Sequence, residues 1–363
     1  MKNIFTAMQV TSFTAMTRVL VCMLMSLSCV SQDIHFSQFY MTSLSQNPAM
    51  AGYNHDVQAI INYKTQWQSV PTPYKTGAGS FDMKFKKQKA SKSFWAGGIN
   101  FFSDKAGDAQ MSTMQANLSL AYHVKVSQYS TFGGGLQAGF AQRSINSSSL
   151  QWGNQFDGMN YNGGLATGES SLAAARAYLD CGGGVLWNYN NTSSEKKVAG
   201  ASDLKITLGA SAFHFNQPKY SFYQSSNERL NMKFAVNGTA IISLKNTNIA
   251  LAPGFFYYRQ GGTQEIYAGG MVKYKLGMDS KYTGLQKGAA VSFGGFLRAK
   301  DAVIATMLFE YSQYAIGLSY DVNTSPLRTA SNGRGGFEIS LRFVNPNPFL
   351  YKGRGGDRPF GSK

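Results

Sequence analysis

The chain is poor in charge: Asp, Glu, Lys and Arg together make up only 14% of its 363 residues. Soluble domains carry closer to about 25%, so the composition does not fit an ordinary water-exposed globule. Long apolar runs are missing too. The run Val19–Val30 (VLVCMLMSLSCV) falls short of the roughly 20 residues a membrane-spanning helix needs, and a mean hydropathy of −0.22 is too polar for a bundle of such helices. There are three cysteines, and Cys22 and Cys29 lie in that N-terminal run. Cys181 is left alone in the remainder, which excludes an intramolecular disulfide and a CxxC metal site there. The four histidines, His35, His55, His123 and His214, show no i,i+4 or HxH spacing. No GxSxG, GxxxxGK[ST] or HExxH occurs, and these are the motifs that would mark an elbow nucleophile, a phosphate loop or a zinc protease. A hydrolase built from His, Ser or Asp scattered across strands would leave no such trace. The chain also lacks an amphipathic helix of useful length; the nearest candidate, Ser170–Ala177, is one or two turns inside a long connection.

What the chain has is glycine, with 39 residues, and aromatics at 13%. Its recurring pattern is alternation. In Gln115–Lys125, Ala116, Leu118, Leu120, Tyr122 and Val124 alternate with polar or small residues, and Phe337, Ile339, Leu341 and Phe343 alternate with Glu338, Ser340 and Arg342. Residues 204–214 and 289–299 do the same. A period of two means strands with one face toward lipid or core and the other toward water. Low charge, moderate hydropathy and many aromatics suit a membrane β-barrel, whose strands alternate between lipid and lumen.

The pattern predicts about fourteen antiparallel strands, near 56–69, 74–85, 93–103, 110–125, 129–143, 178–190, 204–216, 229–244, 248–260, 263–276, 288–299, 301–310, 313–322 and 335–344. Each is around ten residues or more, the length of a tilted membrane strand. Short turns are expected after strands four, eight and twelve, and long connections after five, seven and thirteen. That parity suits a barrel with both termini in the periplasm; residues 191–203 and 277–287 break it. An even strand number lets the sheet close without an edge, as lipid demands.

Arg18 ahead of Val19–Val30 reads as a signal peptide, cleaved after Ser31. Met16 is an alternative start, and a lipidated Cys29 is the rival reading, although Leu27 sits one place off for that motif. Residues 1–31 are thus the expected signal, 32–55 a polar segment before the first strand, 56–344 the barrel and 345–363 a periplasmic tail. The chain is basic, with 34 Lys and Arg against 18 Asp and Glu. These charges are spread along strands and turns, not gathered on a helix, which argues against nucleic acid. Lys84, Lys125, Lys205, Arg298 and Arg342 on polar faces outnumber Asp82 and Glu338; ordinary lumen solvation accounts for this, and a basic lumen drawing an acidic ligand is the sharper alternative. Gly133–Gly135 and Gly182–Gly184 fall inside strands with no following helix, so strand curvature or lumen crowding explains them better than phosphate binding. Of Trp67, Trp95, Trp152 and Trp187, most lie near strand ends, as aromatic girdle residues do.

Three blocks carry a resemblance. Gln32–Gly52 reads QDIHFSQFYMTSLSQNPAMAG, and Asn62–Pro71 reads NYKTQWQSVP. Ala315–Leu327 reads AIGLSYDVNTSPL, followed by GGFEISLRF at Gly335–Phe343. In order and spacing they resemble the PorP/SprF family of type IX secretion system membrane proteins, over essentially the whole mature chain. The matching positions include Gln66, Trp67, Tyr320, Asp321, Ser325 and Glu338. Two features depart from the family pattern: the connection 191–203 is long, and Gly335-Gly336-Phe337 stands where the family has glycine-serine-histidine. The resemblance implies an outer-membrane barrel of the secretion and gliding machinery, without catalysis or cofactor. Its implied partners are an exported adhesin or that adhesin's C-terminal signal domain, and periplasmic or outer-membrane secretion components. The block Asn47, Pro48, Ala49 and Gly52 also resembles the plug of fatty-acid-transporter barrels, which implies that 33–55 folds into the lumen. Asp321 and Ser325 are expected to cap the turn after strand thirteen. Phe349, Tyr351, Lys352 and Arg354 are candidate docking residues for a periplasmic partner. The alternative function is a channel for small or hydrophobic solutes.

Overall fold

A computed structural model of the chain describes residues 34–67, 72–85, 92–146, 150–169, 172–191, 204–223, 226–277, 288–326, 328 and 333–345. The expected signal and the tail beyond Asn345, with Phe349, Tyr351, Lys352 and Arg354, lie outside the described residues.

Alternation in the sequence becomes a closed barrel of fourteen antiparallel strands, each paired with its sequence neighbours and β1 closing on β14. The strands are β1 (Val57–Gln66), β2 (Tyr74–Lys84), β3 (Ser93–Ala106), β4 (Met111–Lys125), β5 (Ser130–Ser144), β6 (Ala175–Asn190) and β7 (Leu204–Phe213). They continue with β8 (Lys233–Ser243), β9 (Ile249–Gln260), β10 (Thr263–Gly277), β11 (Ala289–Arg298), β12 (Ala302–Tyr311), β13 (Tyr314–Asn323) and β14 (Arg334–Asn345). Closure runs over a ten-residue register from Val57↔Asn345 to Gln66↔Gly336, so every backbone group of β1 finds a partner on one side or the other. In hydrocarbon an unpaired strand edge would leave polar groups unsatisfied at several kcal/mol each.

The two faces differ as lipid and lumen do. On β14, Phe337, Ile339 and Leu341 are exposed on the outer wall, whereas Glu338 and Ser340 are each 1% exposed. Arg342 points inward and holds Glu310 at 2.8 Å. On β4, Leu118 and Leu120 face out while Asn117 and Ser119 are buried. Placing an arginine at Leu341 is expected to cost about 2–4 kcal/mol if it sits near mid-bilayer. Denaturant unfolding in lipid vesicles measures this; an unchanged midpoint would mean that Leu341 does not meet lipid.

Two expectations about connections change. Residues 170–177 do not form a helical turn among the described positions: Leu172 bridges Tyr223 and β6 already begins at Ala175. Alanines have helix propensity, but here pairing of 175–177 with β5 and of 172–173 with residues 222–223 overrides it. Loop length also segregates less than expected. The long connections 145–174, 214–232 and 324–333 follow odd strands, yet so do the tight turns 107–110, 261–262 and 299–301. Gly107, Gly261 and Lys300 take positive φ there and let the chain reverse within a few residues. Trp95 lies 4.7 Å from Tyr122 and Trp187 lies 6.3 Å from Tyr189, ring centre to ring centre. Both pairs sit at the end where β1 starts and β14 finishes, as girdle residues do.

Candidate functional site: the lumen and residues 34–56

An eight-stranded barrel is just wide enough for its own side chains to fill, and one of 16–18 strands leaves an aqueous channel. Fourteen strands leave space that side chains of ordinary size do not close. Residues 34–56 pack against the inward faces of the strands and bring buried Phe39, Met41, Leu44, Ala49, Met50 and Ala51 with them. The path starts toward the end carrying the odd-strand loops and descends to the end where β1 begins.

At the upper level the anchors are charged. The Ser37 amide donates to Glu338 Oε2 at 2.7 Å, and its hydroxyl donates to Asp321 Oδ2 at 2.7 Å. The Gln38 amide donates to Glu338 Oε1 at 3.2 Å, and its side-chain amide reaches the Glu338 carbonyl at 3.1 Å. Lys64 Nζ donates to the His35 carbonyl at 3.2 Å and lies 3.9 Å from Asp321, which also receives Arg298 Nη2 at 3.1 Å. All four charged side chains are almost fully enclosed. Buried charges are tolerated only when paired and hydrogen-bonded, and part of this pairing comes from the backbone of residues 35–38. His35 Nδ1 is 3.4 Å from Glu265, but burial, with Lys64 and Arg298 nearby, holds its pKa well below the usual imidazole value.

Below this level Phe39 enters an aromatic cluster, 5.1 Å from Phe296 and 6.0 Å from both Phe256 and Tyr267. Tyr40 hydrogen-bonds Thr306. Then come a single helical turn at Ser43–Gln46 and a 3-10 turn at Pro48–Met50. Asn47 caps the latter: its Oδ1 accepts from the Ala49 amide at 2.9 Å, and Pro48 follows at the first helical position, where a missing N–H costs nothing. Its Nδ2 donates to the Val185 carbonyl at 2.9 Å and the Ala210 carbonyl at 3.3 Å, tying the turn to β6 and β7. Gly52 takes a φ of +60° and donates its amide to Asp82 Oδ1 at 2.9 Å. His123 Nε2 sits 2.9 Å from the Ala51 carbonyl.

One glycine of each triplet finds its reason here. A Cβ on Gly135 would stand 2.5 Å from the Ala49 nitrogen, and one on Gly184 would stand 2.2 Å from Asn47 Oδ1. A Cβ on Gly98 would stand 2.7 Å from Leu44 Cδ1, and one on Gly317 would stand 2.1 Å from Gln38 Oε1. These positions are small because the chain in the lumen passes against the wall.

Among the family positions, Glu338 and Asp321 come together on the inner wall, whereas Tyr320 faces out and is 45% exposed. Gln66 ends β1; Trp67 takes a φ of +54°, donates its amide to the Gly335 carbonyl at 2.8 Å and packs its ring on Tyr74. The expectation that Asp321 and Ser325 cap the turn after β13 is corrected. That turn is held by the Asp301 carbonyl, which accepts from the Thr324 and Ser325 amides at 2.7 and 3.1 Å. Asp321 follows strand alternation instead and points inward to Ser37 and Arg298. Lys64 and Arg298 are anchors that no sequence motif singles out, although alternation puts Arg298 on a polar face. Near the lower end, His55 is pushed down to about 4 by burial together with Arg342, Lys205 and Lys84, and burial pushes Tyr53 up to about 12.

Closed strand topology, an apolar outer wall and an enclosed polar interior define a transmembrane β-barrel of the outer-membrane type. The family model for the type IX secretion system membrane protein PorP/SprF matches residues 28–343, and the chain belongs to that family. A search of curated proteins finds no match. Among solved structures, a deltaS2 mutant of the TodX monoaromatic hydrocarbon channel is similar with 9% identity and a TM-score of 0.46, over 85% of this chain and 94% of that one. The CymD monoaromatic hydrocarbon channel gives 10% and 0.42, over 85% and 93%. BamA from Haemophilus ducreyi lacking POTRA domains 1–3 gives 10% and 0.38, over 80% and 71%.

Proposed function

We propose that this barrel is a closed holder and not an open pore: residues 32–55 plug the lumen, and the outer-membrane protein retains an exported adhesin for the type IX machinery. In this reading the signal 1–31 is removed, and the end where β1 begins and β14 finishes faces the periplasm. The long odd-strand loops then meet the exported chain at the cell surface. The observation that carries the reading is the set of bonds from Ser37, Gln38, Asn47 and Gly52 to Glu338, Asp321, Val185, Ala210 and Asp82. A segment held at both levels of the lumen by buried polar contacts disfavours free diffusion of solutes, and that ranks the solute-channel alternative second.

The tail 345–363 is the proposed periplasmic contact. Phe349 and Tyr351 supply burial, and Lys352 and Arg354 steer toward an acidic surface. Affinity capture of a tagged chain from outer membranes tests both halves. The intact protein is expected to retain an exported surface chain and periplasmic secretion components. Truncation after Asn345 is expected to leave barrel insertion intact while periplasmic components and surface display are lost. Survival of both would make the tail a spacer, and capture of neither by the intact protein would remove the holder reading.

A further inference from the structure

Between residues 39–54 and the wall of β7–β12, β14 and β1, the lower half of the lumen keeps a cavity of about 150 Å³. A cavity of that size, when apolar, takes a molecule such as benzene. Its body is lined by Phe39, Tyr40, Met50, Met271, Phe296 and Leu308, and its mouth by Lys205, Lys273, Glu310 and Arg342. The mouth residues occupy the last turns of wall before the end where β1 begins. Three cations stand there against one carboxylate. Glu310 is already shared, paired with Lys273 and with Arg342 at 2.8 Å. Among the described residues Lys205 hydrogen-bonds only the neutral Asn54 Oδ1, with its ammonium 5.6 Å from the Tyr53 ring centre. The rim therefore carries positive charge that the wall itself does not neutralise. A second polar group waits inside: Asn237 lines the cavity, is 2% exposed, and its Oδ1 has no hydrogen-bond partner. A buried acceptor left empty costs roughly 1–3 kcal/mol, and a bound molecule with a donor would satisfy it.

We propose that this cavity is a binding site for a small amphipathic anion, a carboxylate carried on an apolar body of about one aromatic ring. The carboxylate meets Lys205 at the mouth, within the field of Lys273 and Arg342. The ring lies among Phe39, Met50, Met271 and Phe296, and a hydroxyl or amine substituent would donate to Asn237 Oδ1. Because Phe39, Tyr40 and Met50 come from the segment in the lumen, occupancy would also brace that segment against the wall. The proposal does not depend on the secretion role.

The test is calorimetric titration of the full chain in lipid nanodiscs with benzoate, benzylamine and benzyl alcohol. Benzoate is expected to bind and benzylamine to bind at least about tenfold more weakly, since the two differ chiefly in the sign of their charge. Lys205→Gln should weaken benzoate by about tenfold or more, the change expected when one charge-assisted hydrogen bond is lost, and leave benzyl alcohol unchanged. Ala252→Phe, at a partly buried position lining the cavity, should abolish binding of both by filling the space. Equal affinity for benzoate and benzylamine overturns the anionic site, as does no heat from benzoate at millimolar concentration. Benzoate binding that survives Ala252→Phe places the ligand elsewhere and also overturns it. The benzoate–benzylamine comparison is made on the unaltered protein, so it stands even if Lys205→Gln does not fold.

Discussion

Valine at position 135 is expected to loosen the segment in the lumen, while valine at the adjacent position 134 leaves it in place. The two glycines are neighbours on β5 and differ in what lies in front of them. A side chain at Gly134 would meet nothing within 4 Å, because it points to the outside. At Gly135 it would strike backbone: the Ala49 nitrogen at 2.5 Å and the Pro48 carbonyl carbon at 2.6 Å. Backbone in a capped turn cannot swing aside as a flexible side chain can, and Asn47 fixes that turn to β6 and β7. Overpacking of this kind costs about 1–3 kcal/mol, which multiplies the undocked population about five- to 150-fold. Valine suits strands, so the barrel itself should tolerate both changes. Chymotrypsin reads the result, since Phe36, Phe39, Tyr40 and Tyr53 lie in the segment. Faster cleavage there in Gly135→Val but not in Gly134→Val is the expected outcome. Equal rates in the two variants would mean that the turn at Pro48 does not press on β5.

The same comparison shows what the linear chain made legible. Strand number and position could be read because lipid imposes a period of two on every strand, and residues such as Leu118, Asn117, Leu120 and Ser119 obey it without exception. At Asp321 that period outranks local turn chemistry. Asn323-Thr324-Ser325-Pro326 is turn-prone, yet Tyr320 and Val322 are both 45% exposed, and the residue between them has to face inward. The Ala-rich stretch leading into β6 shows the opposite conflict: propensity favours helix, while β5 and residues 222–223, each brought across a long connection, favour pairing. Loop parity was only partly legible, because a two- or three-residue reversal depends on one residue accepting positive φ, and Lys300 does so at +63° without being glycine.

The candidate site divides along similar lines. Asn47-Pro48-Ala49 announced a capped turn locally, and the cap is there. What that turn rests on could not be read, since Val185, Ala210 and Gly135 are brought to it only by closure of the sheet. The charged level of Lys64, Arg298, Asp321 and Glu338 likewise gathers side chains from β1, β11, β13 and β14, more than 270 positions apart at the extremes. Alternation could say that each faces inward; only the barrel register says that they meet.

The central claim is that the chain closes its own lumen, and single-channel recording in planar bilayers tests it most directly, on the intact protein and on a chain lacking residues 34–53. Removing the segment removes the aromatic cluster around Phe39 and the contacts to Glu338, Asp321 and Asp82, while the sheet retains its β1–β14 closure. Fourteen strands without an internal segment enclose more space than their side chains fill. The intact protein is expected to stay near the bilayer baseline, and the shortened one to show large, persistent conductance steps. An intact protein that already conducts like the shortened one, or a shortened one that remains closed, would contradict the account.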